Sequence, residues 1–200
     1  MVTSSSKDEG KSTSALALAI NFAQMGKPVL IIDADLRNPV LHKLLKTDNS
    51  SGLSNYLSGG MGLGDLAQPT CIPNLFVMTT GPLPPNPVEL LSGMRMLDLL
   101  AECEERFAHV IVDGPPVLGI ADAIVLCNQV ENSVFVVESG KTRKGHAKAA
   151  LKRLQLAGVH PIGVVLTKID AYHDLYGSDS YYYQYGPDAL PAKKKEALAA

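Results

Sequence analysis

Nothing in the 200-residue sequence approaches the run of about 18 apolar residues needed to cross a bilayer, and no basic-then-apolar leader opens it. The expectation is a soluble chain with no membrane span of its own. Cysteine is scarce: Cys71, Cys103 and Cys127 are far apart and odd in number, which excludes a disulfide framework and gives no zinc spacing, and so points to a reducing compartment. The five histidines show no ligand spacing either. A formal net charge of −2 removes any general attraction to nucleic acid, so duplex binding is disfavoured. No internal repeat is present. The length suits one domain with a sizeable core.

Against these absences stands the stretch Ser5-Ser6-Lys7-Asp8-Glu9-Gly10-Lys11-Ser12-Thr13, which has the spacing of a phosphate-binding P-loop. In such a loop successive backbone N–H groups curl round the phosphates, a lysine reaches the outer ones and a hydroxyl holds Mg²⁺. Gly10, Lys11 and Ser12 occupy those places. A run rich in Ala and Leu over 14–24 follows at once and reads as a helix whose N-terminal dipole faces the anion. The loop departs from the usual pattern. Ser5 stands where Gly or Ala is common, Lys7 and Asp8 stand where Pro and Gly are common, and Asp8 with Glu9 brings negative charge towards phosphate. Only residues 1–3 precede the loop as strand, where about five apolar residues are the norm. The expectation is a first strand truncated from a longer protein, and a nucleotide affinity lowered accordingly.

Downstream, Gly26-Lys27-Pro28 stops the helix, and the apolar run 29–32 reads as a strand buried on both faces that delivers Asp33, Asp35 and Arg37 at its carboxyl end. Ligands of open α/β sheets bind at that end. A short helix through residue 45, a loop over 49–64 with one turn near 53–57, a strand over 74–79 and a rigid Pro-rich loop over 81–87 follow. Residues 89–106 read as a helix burying Leu90, Leu91, Met94, Leu97, Leu100 and Ala101. Strand 109–112 ends in Asp113-Gly114-Pro115-Pro116; then helix 120–128, strand 133–137, helix 144–157 and strand 162–166 complete the alternation. Strands and helices alternating at this interval indicate an α/β fold, a doubly wound and mainly parallel sheet with helices on both faces. The expected organisation is a domain over 1–170 and a flexible tail over 171–200, where six of the seven tyrosines crowd a Gly/Ser/Asp/Gln-rich segment.

Three segments converge: the P-loop, the Asp33-x-Asp35-x-Arg37 strand end and the strand ending in Asp113. Mg²⁺ takes one or two carboxylates beside phosphate oxygens and water. Two aspartates spaced i, i+2 on extended chain point the same way, so one can hold metal while the other accepts a proton. An aspartate at a strand end can also simply cap the next turn.

The blocks Ser4–Thr13, Val29–Pro39 and Val110–Pro116, with the C-terminal tyrosine cluster, resemble the cytoplasmic kinase domain of bacterial tyrosine kinases, P-loop enzymes that accompany capsular and exopolysaccharide chain-length proteins. The resemblance implies ATP and Mg²⁺ as cofactors and in-line γ-phosphoryl transfer to tyrosine. Carried onto this chain, it makes Lys11 the β/γ-phosphate ligand, Ser12 a Mg²⁺ ligand, Thr13 a phosphate contact and Asp33 the metal-linked base. Asp35 and Asp113 would complete the magnesium shell, directly or through water. Ser6, Asp8, Glu9 and Gly10 would form the rest of the nucleotide cradle, with Arg37 and Thr167 at its edge. The acceptors would be Tyr172, Tyr176, Tyr181, Tyr182, Tyr183 and Tyr185 of a neighbouring copy in a ring. The implied partners are the chain itself and a membrane polysaccharide co-polymerase or activator, fused upstream or separate, and the implied location is the cytoplasmic face of the bacterial inner membrane. Two other readings remain open: a partitioning-type ATPase switch, which shares the loop class, and a GTPase, because Thr167-Lys168-Ile169-Asp170 has the form of a guanine-reading motif.

Overall fold

A computed structural model describes residues 1–169, in which seven strands and eight helices alternate along the chain. The strands are β1 (Val2–Ser4), β2 (Val29–Asp33), β3 (Gln68–Pro69), β4 (Leu75–Met78), β5 (His109–Asp113), β6 (Val134–Glu138) and β7 (Gly163–Thr167), in the spatial order β3-β4-β2-β5-β1-β6-β7. All pairings are parallel except β3 with β4, which is antiparallel. The short antiparallel edge strand β3 carries no sequence signal of its own.

The helices are α1 (Lys11–Gln24), α2 (Leu41–Leu45), α3 (Leu53–Leu57), α4 (Leu63–Leu66), α5 (Pro87–Ser92), α6 (Met94–Arg106), α7 (Asp122–Cys127) and α8 (Lys144–Leu156). They divide between the two faces of the sheet. Ala15, Ala19 and Ala23 of α1 and Leu41 and Leu45 of α2 cover Val29, Ile31, Leu75, Val77 and Val136 on one face. On the other, α3 to α6 enclose Leu30, Ile32, Met78 and Val112, while α7 and α8 close over Phe135. Small alanines on α1 let that helix lie close to the strands, so the P-loop ahead of it is held against the sheet. Burial on both faces is why the central strands read as unbroken apolar runs.

One helix differs from expectation. The segment 89–106 is two helices broken at Gly93, whose extended backbone (φ −73°, ψ 157°) resets the phase. Met96, Leu99 and Cys103 are the buried side chains of α6, while Met94 and Leu97 are 71% and 42% exposed and Ala101 is exposed. The stripe expected to be buried was carried one helix too far. The 49–64 loop likewise contains two short helices, α3 and α4, rather than one turn.

Register places the chemistry. Asp33 and Asp113 are paired neighbours at the carboxyl ends of β2 and β5, and β1 delivers the P-loop beside them. At the opposite end of the strands a cavity of about 600 Å³ lies between α1 (Leu18, Phe22) and α6 (Leu100, Glu104). It borders β1, which pairs with β5 only through Val2 and Asp113, and it contains none of the loop or aspartate residues. Among the described residues no helix is long and apolar enough to cross a membrane.

Candidate functional site

The loop that leaves β1 is shaped by two left-handed residues, Asp8 (φ 65°) and Gly10 (φ 89°). Asp tolerates that conformation better than most residues, but only Gly suits position 10, where a Cβ would press on the Thr167 side chain at 3.2 Å. Gly10 is the N-cap of α1 and supplies no side-chain cap, and the first turn holds no acidic residue. The orphan N–H groups of α1 therefore face an approach with a positive helix end and no competing carboxylate of their own turn, the elementary form of an anion site.

Glu9 corrects the expectation that it would oppose phosphate. Its carboxylate is turned inward and only 4% of the residue is exposed. It accepts hydrogen bonds from the Ser5 hydroxyl (2.7 and 2.9 Å), the Ser6 N–H (2.9 Å) and the Thr142 hydroxyl (2.6 Å). The charge is thus neutralised by donors within the loop's own scaffold. Asp8 is exposed and its carbonyl accepts from Lys168 Nζ at 2.7 Å; Lys7 Nζ donates to Asn38 Oδ1 at 3.3 Å.

Behind the loop lies a buried charge cluster. Lys11, 9% exposed, donates from Nζ to Asp113 Oδ1 at 3.0 Å and to the Ser12 hydroxyl at 3.2 Å, and stands 3.7 Å from Asp35 Oδ2. Asp33 and Asp113 are both fully buried. Burial, and then the neighbouring Asp113 charge, push the Asp33 carboxyl up to about 7, although the Val40 and Leu41 N–H groups and Lys11 oppose the shift. Burial also raises Asp113, against the pull of Lys11. Asp33 does cap the next turn, as an aspartate at a strand end can: its Oδ2 accepts from the N–H of Val40 (3.0 Å) and of Leu41 (2.9 Å). Its Oδ1 and Asp113 Oδ2 are buried with no hydrogen-bond partner. Two bare carboxylate oxygens at neighbouring strand ends, with the Ser12 hydroxyl beside Asp113, suit a hard cation that completes its shell with phosphate and water. The expected three-aspartate ligand set is not preassembled. Among the described residues no three His, Cys, Asp or Glu side chains converge as a metal cage, and Asp35 is engaged in its own turn, accepting from the N–H of Arg37 (3.3 Å) and of Asn38 (3.0 Å).

Two other expected contact residues are engaged with protein partners. Arg37 forms a two-point ion pair with Asp122 (Nε–Oδ2 2.8 Å, Nη2–Oδ1 3.2 Å), whose carboxylate is 1% exposed, so it fastens the loop after β2 to α7. Thr167 donates its hydroxyl to the Glu9 carbonyl at 2.6 Å, bracing the P-loop from β7. Ser6 and Thr13 stand in the loop and in the first turn of α1, as expected. The six candidate acceptor tyrosines lie outside the described residues, as does the boundary expected at 170/171.

Asp122, Thr142 and Glu138 escaped sequence reading, and Lys168 reads in the sequence only as part of a guanine-reading motif. Glu138 pairs with Lys168 (3.1 Å) and Lys141 (3.4 Å), and Lys168 in turn reaches the P-loop. Thr142 and Lys168 lie 133 and 160 positions from the loop residues they hold, and Asp122 lies 85 from Arg37, so no periodicity or spacing could have found them.

Comparison with known proteins agrees with this geometry. The profile of the CobQ/CobB/MinD/ParA nucleotide-binding domain family matches residues 1–185. The tyrosine-protein kinase YwqD of Bacillus subtilis is 42% identical over 178 residues, which span 88% of this chain and 75% of that protein. The kinase domain of the Escherichia coli tyrosine kinase ETK superposes with a TM-score of 0.83 at 36% identity, covering 92% of this chain and 71% of that one. The chimeric protein CapA2B2 superposes with a TM-score of 0.79 at 36% identity, over 82% and 73% of the two chains.

Proposed function

The chain belongs to the bacterial tyrosine kinases of capsule and exopolysaccharide systems, within the CobQ/CobB/MinD/ParA nucleotide-binding family, and from that premise we propose how its own residues perform the transfer. The nucleotide is ATP, its phosphates seated on the N-terminus of α1 and the loop 5–13. Lys11 carries the charge that faces the β/γ-phosphates. In the structure it is held by Asp113 and Asp35, so a phosphate arriving between them exchanges one set of anionic partners for another. Mg²⁺, held by Ser12 with Asp113 and Asp33 directly or through water, would neutralise charge developing on the transferred phosphoryl group.

Asp33 is the base. The observation that carries this role is its carboxyl: one oxygen anchors the α2 turn, the other is bare, and in the metal-free chain burial and Asp113 push the group up to about 7. A general base works best with a pKa near the operating pH, and an anchored group spends no further entropy on positioning. The tyrosine hydroxyl gives its proton to Asp33 as its oxygen attacks the γ-phosphorus; ADP leaves on the opposite side, so one P–O bond forms as one breaks. The acceptors are the tail tyrosines Tyr172, Tyr176, Tyr181, Tyr182, Tyr183 and Tyr185, presented by a second copy of the chain, and a membrane activator of the CapA type at the cytoplasmic face is the expected partner. The test is phosphotyrosine formation by the purified chain with ATP or GTP and Mg²⁺. Phosphotyrosine with ATP is expected. ATP hydrolysis without phosphotyrosine would favour the partitioning-type switch, and a clear GTP preference would sink the reading.

A further inference from the structure

We propose that Thr142, on the loop between β6 and α8, is a positioning residue for nucleotide binding, acting through the buried Glu9 carboxylate to hold the curl of the phosphate-binding loop. The proposal rests on the loop being the ATP site. Three observations carry it. First, the hydrogen-bond polarity at Thr142 is determined: its oxygen accepts the Glu138 N–H at 2.9 Å, which leaves its own proton for Glu9 Oε1 at 2.6 Å. Second, among the described residues Glu9 forms no ion pair and is held by the Ser5 hydroxyl, the Ser6 N–H and Thr142, of which Thr142 is the donor from outside the loop. A buried carboxylate that loses one of so few donors must find water or protonate, and either change moves the loop. Third, the same two loop residues are gripped by neighbouring strand ends, with Thr167 on the Glu9 carbonyl and Lys168 on the Asp8 carbonyl.

The grip has a physical purpose. Asp8 in the left-handed region is a costly conformation that persists only where the surroundings impose it, and it lies one residue from the Gly10 turn that aims the N-terminus of α1. Pins from β6 and β7 supply that constraint before any ligand arrives. Thr142 touches neither phosphate nor metal in this scheme; it determines how much of the binding energy is spent on ordering the loop.

The test uses the full 200-residue chain with Thr142→Val, which keeps the shape and deletes the hydroxyl, and Thr142→Ser, which restores the hydroxyl. For Thr142→Val the Kd and KM for ATP·Mg²⁺ should rise about tenfold, the loss expected of one charge-assisted hydrogen bond, while kcat stays within about twofold because Lys11 and Asp33 are untouched. Thr142→Ser should return Kd to within about threefold of the parent. Melting of both variants should stay close to the parent, since Thr142 is half-exposed. The proposal is overturned if Thr142→Val binds ATP as the parent does, if Thr142→Ser binds no better than Thr142→Val, or if melting collapses together with binding. A parent chain that binds no nucleotide would overturn the site reading itself, a different failure from a parent that binds and a variant that binds equally.

Discussion

Asp33 places two tasks on one carboxyl group, and its pKa follows from the conflict between them. Folding removes it from water and sets it beside Asp113, so its folded pKa of about 7 lies above the usual value of 3.8. The sign follows from proton uptake. Between those values the folded chain holds a proton that the unfolded chain has lost, so this contribution to stability is full at low pH and disappears as pH rises through 7. Three units correspond to roughly 4 kcal/mol as an upper figure. Asp33→Asn keeps a carbonyl to cap Val40 and Leu41 and removes the ionisation. At pH 8 its thermal midpoint should therefore exceed that of the parent by about 5 °C or more, while phosphotyrosine formation is lost; a midpoint at or below the parent at pH 8 would contradict the assignment. Lys11 is the converse case. Lys11→Met should cut phosphoryl transfer roughly a hundredfold or more, as removal of a preorganised charge does. It should also lower the thermal midpoint more at pH 8 than at pH 5, because Asp113 loses its partner and the neutral form that its burial favours is reached more easily at the lower pH. Differential scanning calorimetry at the two pH values checks this.

Among the elements, local pattern and tertiary context part company. The strands announced themselves, and β2, β5, β6 and β7 lie within one residue of the expected bounds. Short apolar runs between turn signals are the form that parallel strands take, although the run 123–127 in α7 shares it. Helix phase was less legible. A single glycine at 93 gave no reason to split the segment 89–106, and only packing of α6 on the sheet selects Met96, Leu99 and Cys103 as its inner face. Gly52 is another position whose role is tertiary. Its φ of 178° is open to any residue, yet a Cβ there would stand 2.1 Å from the Thr79 carbonyl oxygen and 2.4 Å from the Gly81 nitrogen. Both are backbone atoms at the end of β4 and cannot yield as a flexible side chain would. Gly52→Ala should cost about 1–3 kcal/mol or more through overpacking, a fall of roughly 5–10 °C in thermal midpoint; an unchanged midpoint would show that the α3–β4 contact relaxes freely.

For the molecule as a whole, the doubly wound sheet explains why one end is chemical and the other is not. Parallel strands separated by helices bring every βα turn to the carboxyl end, so P-loop, Asp33, Asp35 and Asp113 meet there although they come from three strands. The cavity at the other end has a mixed polar and apolar lining and includes none of them. Transfer between copies is tested at this scale by mixing two variants: Lys11→Met, which retains its tyrosines, and a chain whose six tail tyrosines are Phe but whose site is intact. Phosphotyrosine should appear on the Lys11→Met chain, at a rate that rises with the concentration of the other. Its absence from the mixture, with a functional parent chain, would mean that each tail serves only its own site.

The sequence by itself determined the fold class, the phosphate-binding loop and which aspartates end the strands beside it, because each depends on signals spanning a dozen residues or fewer: apolar runs, glycine at a left-handed turn, carboxylates at strand ends. Only the tertiary structure decided what each loop carboxylate faces. Glu9, which looked hostile to phosphate, is turned inward onto Ser5, Ser6 and Thr142; Arg37, which looked free for a ligand, is paired with Asp122; and Thr167 supports the loop from behind. The physical reason is the same in each case. A side chain's direction depends on which donors and charges the folded chain brings within 3 Å or so, and in each case one of them comes from a residue 85 to 158 positions away.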